Sequence, residues 1–202
     1  MVNQQALRRR RLLGELVASL SQTGFASLTL DDLAAQMHCS KTTLYGIAPS
    51  KEQLVVKVVT EFFRDAAERV EERLLRSVRP IDRVADYLDA VASELGRASR
   101  VFMMDIADFP PARAVYERNT ALAAARVRSL VEEGFAAGDI RSVDARFVGA
   151  ALSVVMSAIS HGEIAATTGL SDAEAYKRLT ETVLYGIATR SEDPPRQTAA
   201  TH

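Results

Sequence analysis

The chain has 202 residues, 48% of them hydrophobic and 25% charged, with a formal net charge of −1. This is the composition of an ordinary soluble protein that is long enough for a large core. The charge is uneven, because residues 1–60 carry seven Lys and Arg against four Asp and Glu, which places a basic excess at one end. One cysteine, Cys39, excludes a disulfide within the chain.

The first predicted helix opens with the basic run Arg8-Arg9-Arg10-Arg11. Leucines follow the run, as at the start of a secretory signal, but Glu15 interrupts the apolar stretch. A helical stripe ending near Thr23-Gly24 is formed instead by Leu13, Leu16, Val17 and Leu20. The basic run is either a solvated face or a contact for a nucleic-acid backbone.

Residues 24–54 read as two short helices joined by a turn and followed by a third helix. Thr29 can cap a helix over residues 30–37, and Ser40 can cap a very short helix over residues 41–45. Leu44 is the one aliphatic residue of that short helix and must face inward. Its outer side chains are donors that can reach bases and phosphates in a major groove. The pattern predicts a helix-turn-helix, with an ordinary helical hairpin as the alternative.

Three motifs, T-L-D-D-L-A-A, S-K-T-T-L-Y and P-S-K-E-Q-L, resemble in order and spacing the DNA-binding domain of the TetR family of bacterial regulators. The resemblance covers roughly residues 8–57. It implies a cytoplasmic homodimer that binds double-stranded DNA through residues 1–50. It also implies a helical domain over residues 51–190 that dimerises and binds a small-molecule effector.

The resemblance assigns DNA contacts to the residue matching Thr29, to the outer face of the short helix and to Lys51, and it favours phosphate contact for the basic N-terminus. Ser50 and Gln53 form a capping-box pattern that would place Lys51 at a positive helix end. The candidate DNA-binding residues are Arg10, Arg11, Thr29, Lys41, Thr42, Thr43, Tyr45 and Lys51.

Two departures from the family pattern affect this domain. His38 stands where the family usually has a turn glycine, so a positive φ there would be strained. Gly46-Ile47-Ala48 stands where the family has aromatic residues, so a core ring and a phosphate contact are missing and Ile47 or Met37 must supply bulk. The alternative function is therefore a helical ligand-binding or protein-interaction module with weakened DNA binding.

The rest of the chain predicts helices with little strand signal. A connector helix covers residues 51–77, and Pro80 opens a helix that ends at Gly96. A short segment over residues 98–107 follows. Asp108 can then cap a long helix that ends at Gly138-Asp139.

A ligand pocket is predicted near the Pro110-Pro111 break, where flexible, aromatic and acidic side chains cluster. The candidates are Phe102, Met103, Met104, Asp105, Phe109 and Tyr116. The alternative is that these residues are ordinary core. Asp105 would favour a cationic ligand.

Residues 144–168 include the uncharged run 147–162, which is too short to span a bilayer. As a helix, this run is apolar on nearly every side. Ser171 and Glu174 form a capping box that announces the last helix. These two helices predict a four-helix dimer interface, with closure of a monomer core as the alternative. The candidate interface residues are Ala151, Val155, Ala158, Leu179, Val183 and Ile187. Residues 191–202 are predicted to be disordered.

No catalytic constellation, metal-ligand pair or nucleotide loop is present, so neither an enzyme nor a metal or cofactor site is predicted. Cys39 is interpreted as a small buried hydrophobe. The sequence thus predicts an all-α regulator with an N-terminal helix-turn-helix, most simply a repressor that a small ligand releases from a palindromic operator.

Overall fold

A computed structural model describes residues 4–75, 79–138 and 144–187, which form ten α-helices and no strand. The helices are α1 (Gln4–Thr23), α2 (Leu30–Gln36), α3 (Lys41–Tyr45), α4 (Lys51–Leu74), α5 (Pro80–Leu95), α6 (Arg100–Asp108), α7 (Pro110–Ala137), α8 (Ala145–Ser160), α9 (Glu163–Thr168) and α10 (Asp172–Ile187). The predicted all-α class is confirmed.

Helices α1 to α3 form a small bundle against the first turns of α4. Its centre holds fully buried leucines, one or more from each of the three helices, because their spacing puts them on inward faces. These are Leu16, Leu20, Leu33 and Leu44. Helix α4 then continues without a break into the larger bundle, so the division predicted at residues 50 and 51 falls at its first residue.

The larger bundle is built from α4, α5, α7, α8 and α10, with α6 between it and α1. Helix α7 packs most extensively on α8, and α10 packs on α5. Gly149 permits the first of these contacts, because a Cβ there would lie 2.7 Å from Cγ of Arg128. Within the described part of the chain, no helix is long and apolar enough to cross a membrane.

Two predicted helix boundaries are wrong. Asp108 is the last residue of α6, and α7 begins after Phe109 with no side-chain cap, because Pro110 has no backbone N–H that would need an acceptor. The stretch predicted as one apolar helix divides into α8 and α9, since Gly162 adopts a left-handed φ of 74°. The Ser171–Glu174 capping box is confirmed, with Glu174 Oε2 accepting from Ser171 N at 2.8 Å. Residues 191–202 lie outside the described residues.

Candidate functional site

A reciprocal cap starts α2. Asp32 N donates to Thr29 Oγ1 at 3.2 Å, and the Asp32 carboxylate accepts from Thr29 N at 2.8 Å and from the Thr29 hydroxyl at 2.7 Å. These hydrogen bonds from Thr29 lower the pKa of Asp32. The predicted cap is confirmed. In this structure the Thr29 hydroxyl serves the cap, and its contact with DNA stays a prediction.

The turn between α2 and α3 has the predicted strained residue. His38 has a φ of 49°, in the left-handed region that a glycine adopts at lower cost. Cys39 N donates to Ala34 O at 2.9 Å and so closes the turn, and the Cys39 side chain packs half-buried against the core. This geometry fixes where α3 leaves α2.

Helix α3 packs on the core through one buried side chain, and its polar side chains face outward. Leu44 is 1% exposed, whereas Tyr45 is 50% exposed, and Thr42 and Thr43 are exposed as well. Ser40 caps the helix by accepting from Thr43 N at 3.2 Å. Because α3 has only five residues, Leu44 alone decides which side chains face outward.

Three predicted phosphate contacts have protein partners in this structure. Lys41 Nζ lies 2.7 Å from the Asp31 carboxylate, whose hydrogen bond raises the pKa of Lys41. Lys51 Nζ donates to the carbonyl of Ala26 at 3.2 Å, and Arg11 pairs with Glu15 at 2.9 Å. Arg10 is exposed. The exposed pairs are weak, so exchange of a carboxylate for a phosphate would cost little.

The segment after α3 replaces the missing aromatic residues with smaller apolar groups. Ile47 and Ala48 are both buried, and Lys57 Nζ donates to the Ile47 carbonyl at 2.6 Å. Ile47 therefore supplies the predicted bulk. Gly46 lies beside Arg9, whose Nε would be 3.7 Å from a Cβ at that position. Arg9 thus reaches the end of α3, a placement that the sequence did not indicate.

An aromatic cavity of about 230 Å³ lies between α4, α5, α7 and α10. Its aromatic walls are Phe62, Phe63, Tyr87, Tyr116 and Tyr176. The rings of Phe63 and Tyr116 stack with centroids 5.0 Å apart. Burial raises the pKa of Tyr87 to about 12 and that of Tyr176 further, so both phenols stay neutral near pH 7. The cavity is large enough for an organic molecule of about two rings, because a cavity of about 150 Å³ holds benzene.

The charged residues that line the aromatic cavity are all in ion pairs. Glu94 lies 2.7 Å from Arg69 of α4, and Glu71 lies 2.9 Å from Arg126 of α7. Thr120 of α7 is different, since its hydroxyl is buried and finds no hydrogen-bond partner among the described residues. The cavity therefore offers aromatic surface, neutralised charge and one unsatisfied hydroxyl.

The predicted ligand residues are not gathered around this cavity. Only Tyr116 lines it, while Met103 and Met104 line a separate cleft of about 400 Å³ beside α9 and α10. Tyr116 also borders that cleft, and its hydroxyl donates to Asp172 at 2.7 Å. Asp105 faces neither space, because its carboxylate binds the chain after α1.

Asp105 and the neighbouring rings join α6 to the small bundle of α1 to α3. The Asp105 carboxylate accepts from the backbone N–H groups of Phe25 and Ala26 at 2.5 and 2.8 Å. Phe102 is fully buried with its ring edge-on to Phe25, and Phe109 also meets Phe25 edge-on. These three predicted ligand residues are therefore core and anchoring residues, because a backbone turn far away in sequence supplies their partners.

The dimer interface stays a prediction, and the structure places its predicted residues in different environments. Val183 is buried inside the subunit, where α10 packs on α5, and Leu179 packs partly against the same core. Val155 also packs partly on the subunit core, and Ala158 is half-buried. The outward face of α8 instead carries Phe147 (70% exposed), Ala151 and Val154 (69% exposed). The side chain of Ile187 lies outside the described residues.

Comparison with known proteins agrees with this geometry. The sequence model of the family described as "Bacterial regulatory proteins, tetR family" matches residues 12–58, which span most of α1 through the start of α4. An uncharacterized HTH-type transcriptional regulator of Mycobacterium tuberculosis is 25% identical over 162 residues, covering 79% of this chain and 76% of its own.

Two solved structures share the fold over almost the whole chain. A TetR transcriptional regulator from Chloroflexus aurantiacus has a TM-score of 0.69 at 21% identity, covering 93% of this chain and 99% of its own. A protein from Saccharomonospora viridis in complex with choline has a TM-score of 0.69 at 16% identity, covering 92% and 100%. Residues 12–58 therefore form a DNA-binding helix-turn-helix domain of the TetR type, and the chain shares the fold of TetR-family transcriptional regulators over almost its whole length.

Proposed function

We propose that this regulator is a repressor that binds a palindromic operator as a homodimer and leaves it when a small molecule fills the aromatic cavity. The observation that carries the proposal is a run of ring contacts from the cavity wall to the end of α1. A filled cavity can then act on the DNA-binding bundle through packed side chains. A densely packed core compresses little, so a displaced side chain moves the whole helices that it contacts.

The run of contacts starts at Phe62, which lines the cavity. Its ring meets Phe102 of α6 edge-on, with centroids 5.3 Å apart. Phe102 in turn meets Phe25 edge-on at 6.0 Å, directly after α1, where Asp105 holds the backbone. A ligand that moves Phe62 therefore affects both α4 and α6, and each of these helices contacts α1.

The dimer must have one arrangement of its two helix-turn-helix units that fits DNA and another that does not. The ligand must bind the second arrangement more tightly, since equal affinity for both would shift no population. We expect a compound that fills the cavity to raise the melting temperature and to lower DNA affinity together. The structure with choline from Saccharomonospora viridis supports the idea that this fold accommodates small molecules.

The dimer part of the proposal rests on the outward apolar face of α8. A single helix-turn-helix reads only half a site, so a second copy is needed to span neighbouring major grooves. Phe147, Ala151 and Val154 lie at helical spacing and provide apolar surface for that copy. Val154→Arg should yield monomers in sedimentation velocity, whereas Leu75→Arg, at an exposed leucine after α4, should not. Dimerisation unchanged by Val154→Arg would place the interface elsewhere.

The central experiment measures DNA affinity by fluorescence anisotropy on the DNA upstream of the gene, with and without compounds that raise the melting temperature. Asp105→Ala should leave compound affinity unchanged but reduce the effect of the compound on DNA binding, because the hold on the end of α1 is lost. Asp108→Ala, at the exposed end of the same helix, is the matched control. Equal coupling in both variants would refute the transmission through α6. Absence of DNA binding at low and moderate salt, with compounds still bound, would favour the ligand-binding module.

A further inference from the structure

One polar side chain of the aromatic cavity, Thr120, has a fully buried hydroxyl without a hydrogen bond from the described residues. Thr120 is 5% exposed, and its Oγ1 has no hydrogen-bond partner among the described residues. An unsatisfied buried hydroxyl is costly, so such a group in a native structure calls for a partner from outside the chain. Tyr176 lines the same cavity, but its phenol and the Thr120 hydroxyl do not meet the distance and angle of a hydrogen bond.

Four other polar side chains around the cavity have partners within the protein. Tyr116 donates to Asp172 at 2.7 Å, and Asn119 Nδ2 donates to the Val115 carbonyl at 2.9 Å. Glu71 and Glu94 each face an arginine. A charged ligand would therefore find no unpaired opposite charge and would lose its hydration without replacement.

We propose that the cavity binds a neutral, largely apolar molecule of about two rings that carries one hydroxyl or carbonyl oxygen, and that Thr120 Oγ1 hydrogen-bonds this oxygen. The aromatic walls supply the apolar contact area, and the cavity volume sets the size. This assignment of ligand class rests on the proposed function, since it concerns the same cavity.

Thr120 also borders a second, more polar cavity of about 200 Å³ between α7 and α8. That cavity is lined by Ser153, Ser157, Ser160 and His161 among others, so its chemistry differs from that of the aromatic walls. If the Thr120 hydroxyl served that space, its removal would not affect selectivity for an oxygen in the aromatic cavity. The two possibilities are therefore separable by ligand binding.

The test is a double-mutant cycle measured by calorimetry with two probes of similar shape, 2-naphthol and naphthalene. In Thr120→Val the ratio of the 2-naphthol Kd to the naphthalene Kd should rise about five- to tenfold over wild type, as expected for one lost hydrogen bond. Thr120→Ser keeps the hydroxyl and should retain the wild-type ratio.

Thr180→Val is the matched control. Thr180 is also a buried threonine, but its hydroxyl donates to the Tyr176 carbonyl of its own helix at 2.9 Å, and it does not line the aromatic cavity. Its ratio should equal that of wild type. A third probe, phenyltrimethylammonium, tests charge and should bind more weakly than 2-naphthol, although aromatic rings can attract cations.

The proposal is overturned if Thr120→Val leaves the ratio unchanged, if neither naphthalene probe binds wild type, or if the cationic probe binds more tightly than 2-naphthol. DNA release is measured separately by anisotropy. If 2-naphthol binds with the expected selectivity but leaves the DNA complex intact, the ligand class stands and the regulatory proposal fails. If another compound releases DNA while 2-naphthol does not bind, the regulatory proposal stands and the ligand class fails.

Discussion

The DNA-binding bundle and the aromatic cavity use their side chains in opposite ways. On α3, a single buried leucine holds the helix while its polar side chains stay exposed to meet a partner. In the larger bundle, large rings turn inward and leave a space unfilled, with ion pairs at its edge. A surface that reads DNA can thus be altered with little loss of stability, whereas a cavity is part of the core, and changes there affect stability and binding together.

The largest expected effect is at the anchor of α3. Leu44→Ala should lower the free energy of unfolding by about 2–5 kcal/mol and abolish DNA binding, because it empties a fully buried site. Chemical denaturation measures the first effect and anisotropy the second. Leu122→Ala, at an exposed leucine of α7, should cost within about 0.5 kcal/mol. Equal losses in the two variants would show that α3 is held by something other than Leu44.

Removal of outward groups of α3 should separate binding from stability. Thr42→Ala and Tyr45→Ala should each weaken operator binding about tenfold, about 1.4 kcal/mol, with melting temperatures close to wild type. Tyr87→Phe, in the wall of the cavity, should leave DNA affinity without ligand unchanged. A large drop in melting temperature for Tyr45→Ala would contradict its assignment to the free face.

Phosphate contacts should be visible in the salt dependence of binding. Lys41→Ala and Lys51→Ala should each lower the slope of log affinity against log salt by about one unit, with similar effects on all DNA sequences. Lys177→Ala, at an exposed lysine of α10, should leave the slope as in wild type. A slope that is unchanged in Lys51→Ala would indicate that this side chain remains bound to the Ala26 carbonyl in the complex.

The smallest effects are pH dependences of opposite sign in the two regions. Burial raises the pKa of Asp172, which lines the cleft next to the aromatic cavity, although its hydrogen bond from Tyr116 partly offsets this rise. Hydrogen bonds from Thr29 lower the pKa of Asp32. The folded state therefore binds the Asp172 proton more tightly than the unfolded state does. That stabilisation is present below the ordinary aspartate pKa and is lost as pH rises through the raised pKa.

For Asp32 the contribution is present above the ordinary pKa and is lost as pH falls through the lowered one. In urea denaturation series from pH 3 to 7, Asp172→Asn should gain stability relative to wild type as pH rises. Asp32→Asn should lose stability relative to wild type over the same change. If the stability difference from wild type changed with pH in the same direction in both variants, the pKa shifts of Asp172 and Asp32 would not have opposite signs.

The same contrast explains what could be predicted from the sequence. Helix α3 was predicted at its observed bounds because Ser40 and Leu44 carry their information within a few residues. The sequence does not predict the cavity, because its lining residues come from four helices and helical periodicity cannot distinguish a ring that fills the core from one that borders a space. The sequence predicts a ligand contact for Asp105 because its observed partners, the N–H groups near Phe25, lie 80 residues away in the chain.

The unbroken course of α4 has a mechanical consequence. Its 24 residues extend about 36 Å, and Phe62 lies about 17 Å from Lys51 at the DNA-binding end. A tilt of about 5° around Phe62 would carry that end about 1.5 Å, and in a symmetric pair of subunits the separation would change by about 3 Å. That is close to the spacing of one base pair, about 3.4 Å. A continuous helix of this length therefore converts a small change of angle at the cavity into a displacement of about one base-pair step at the DNA.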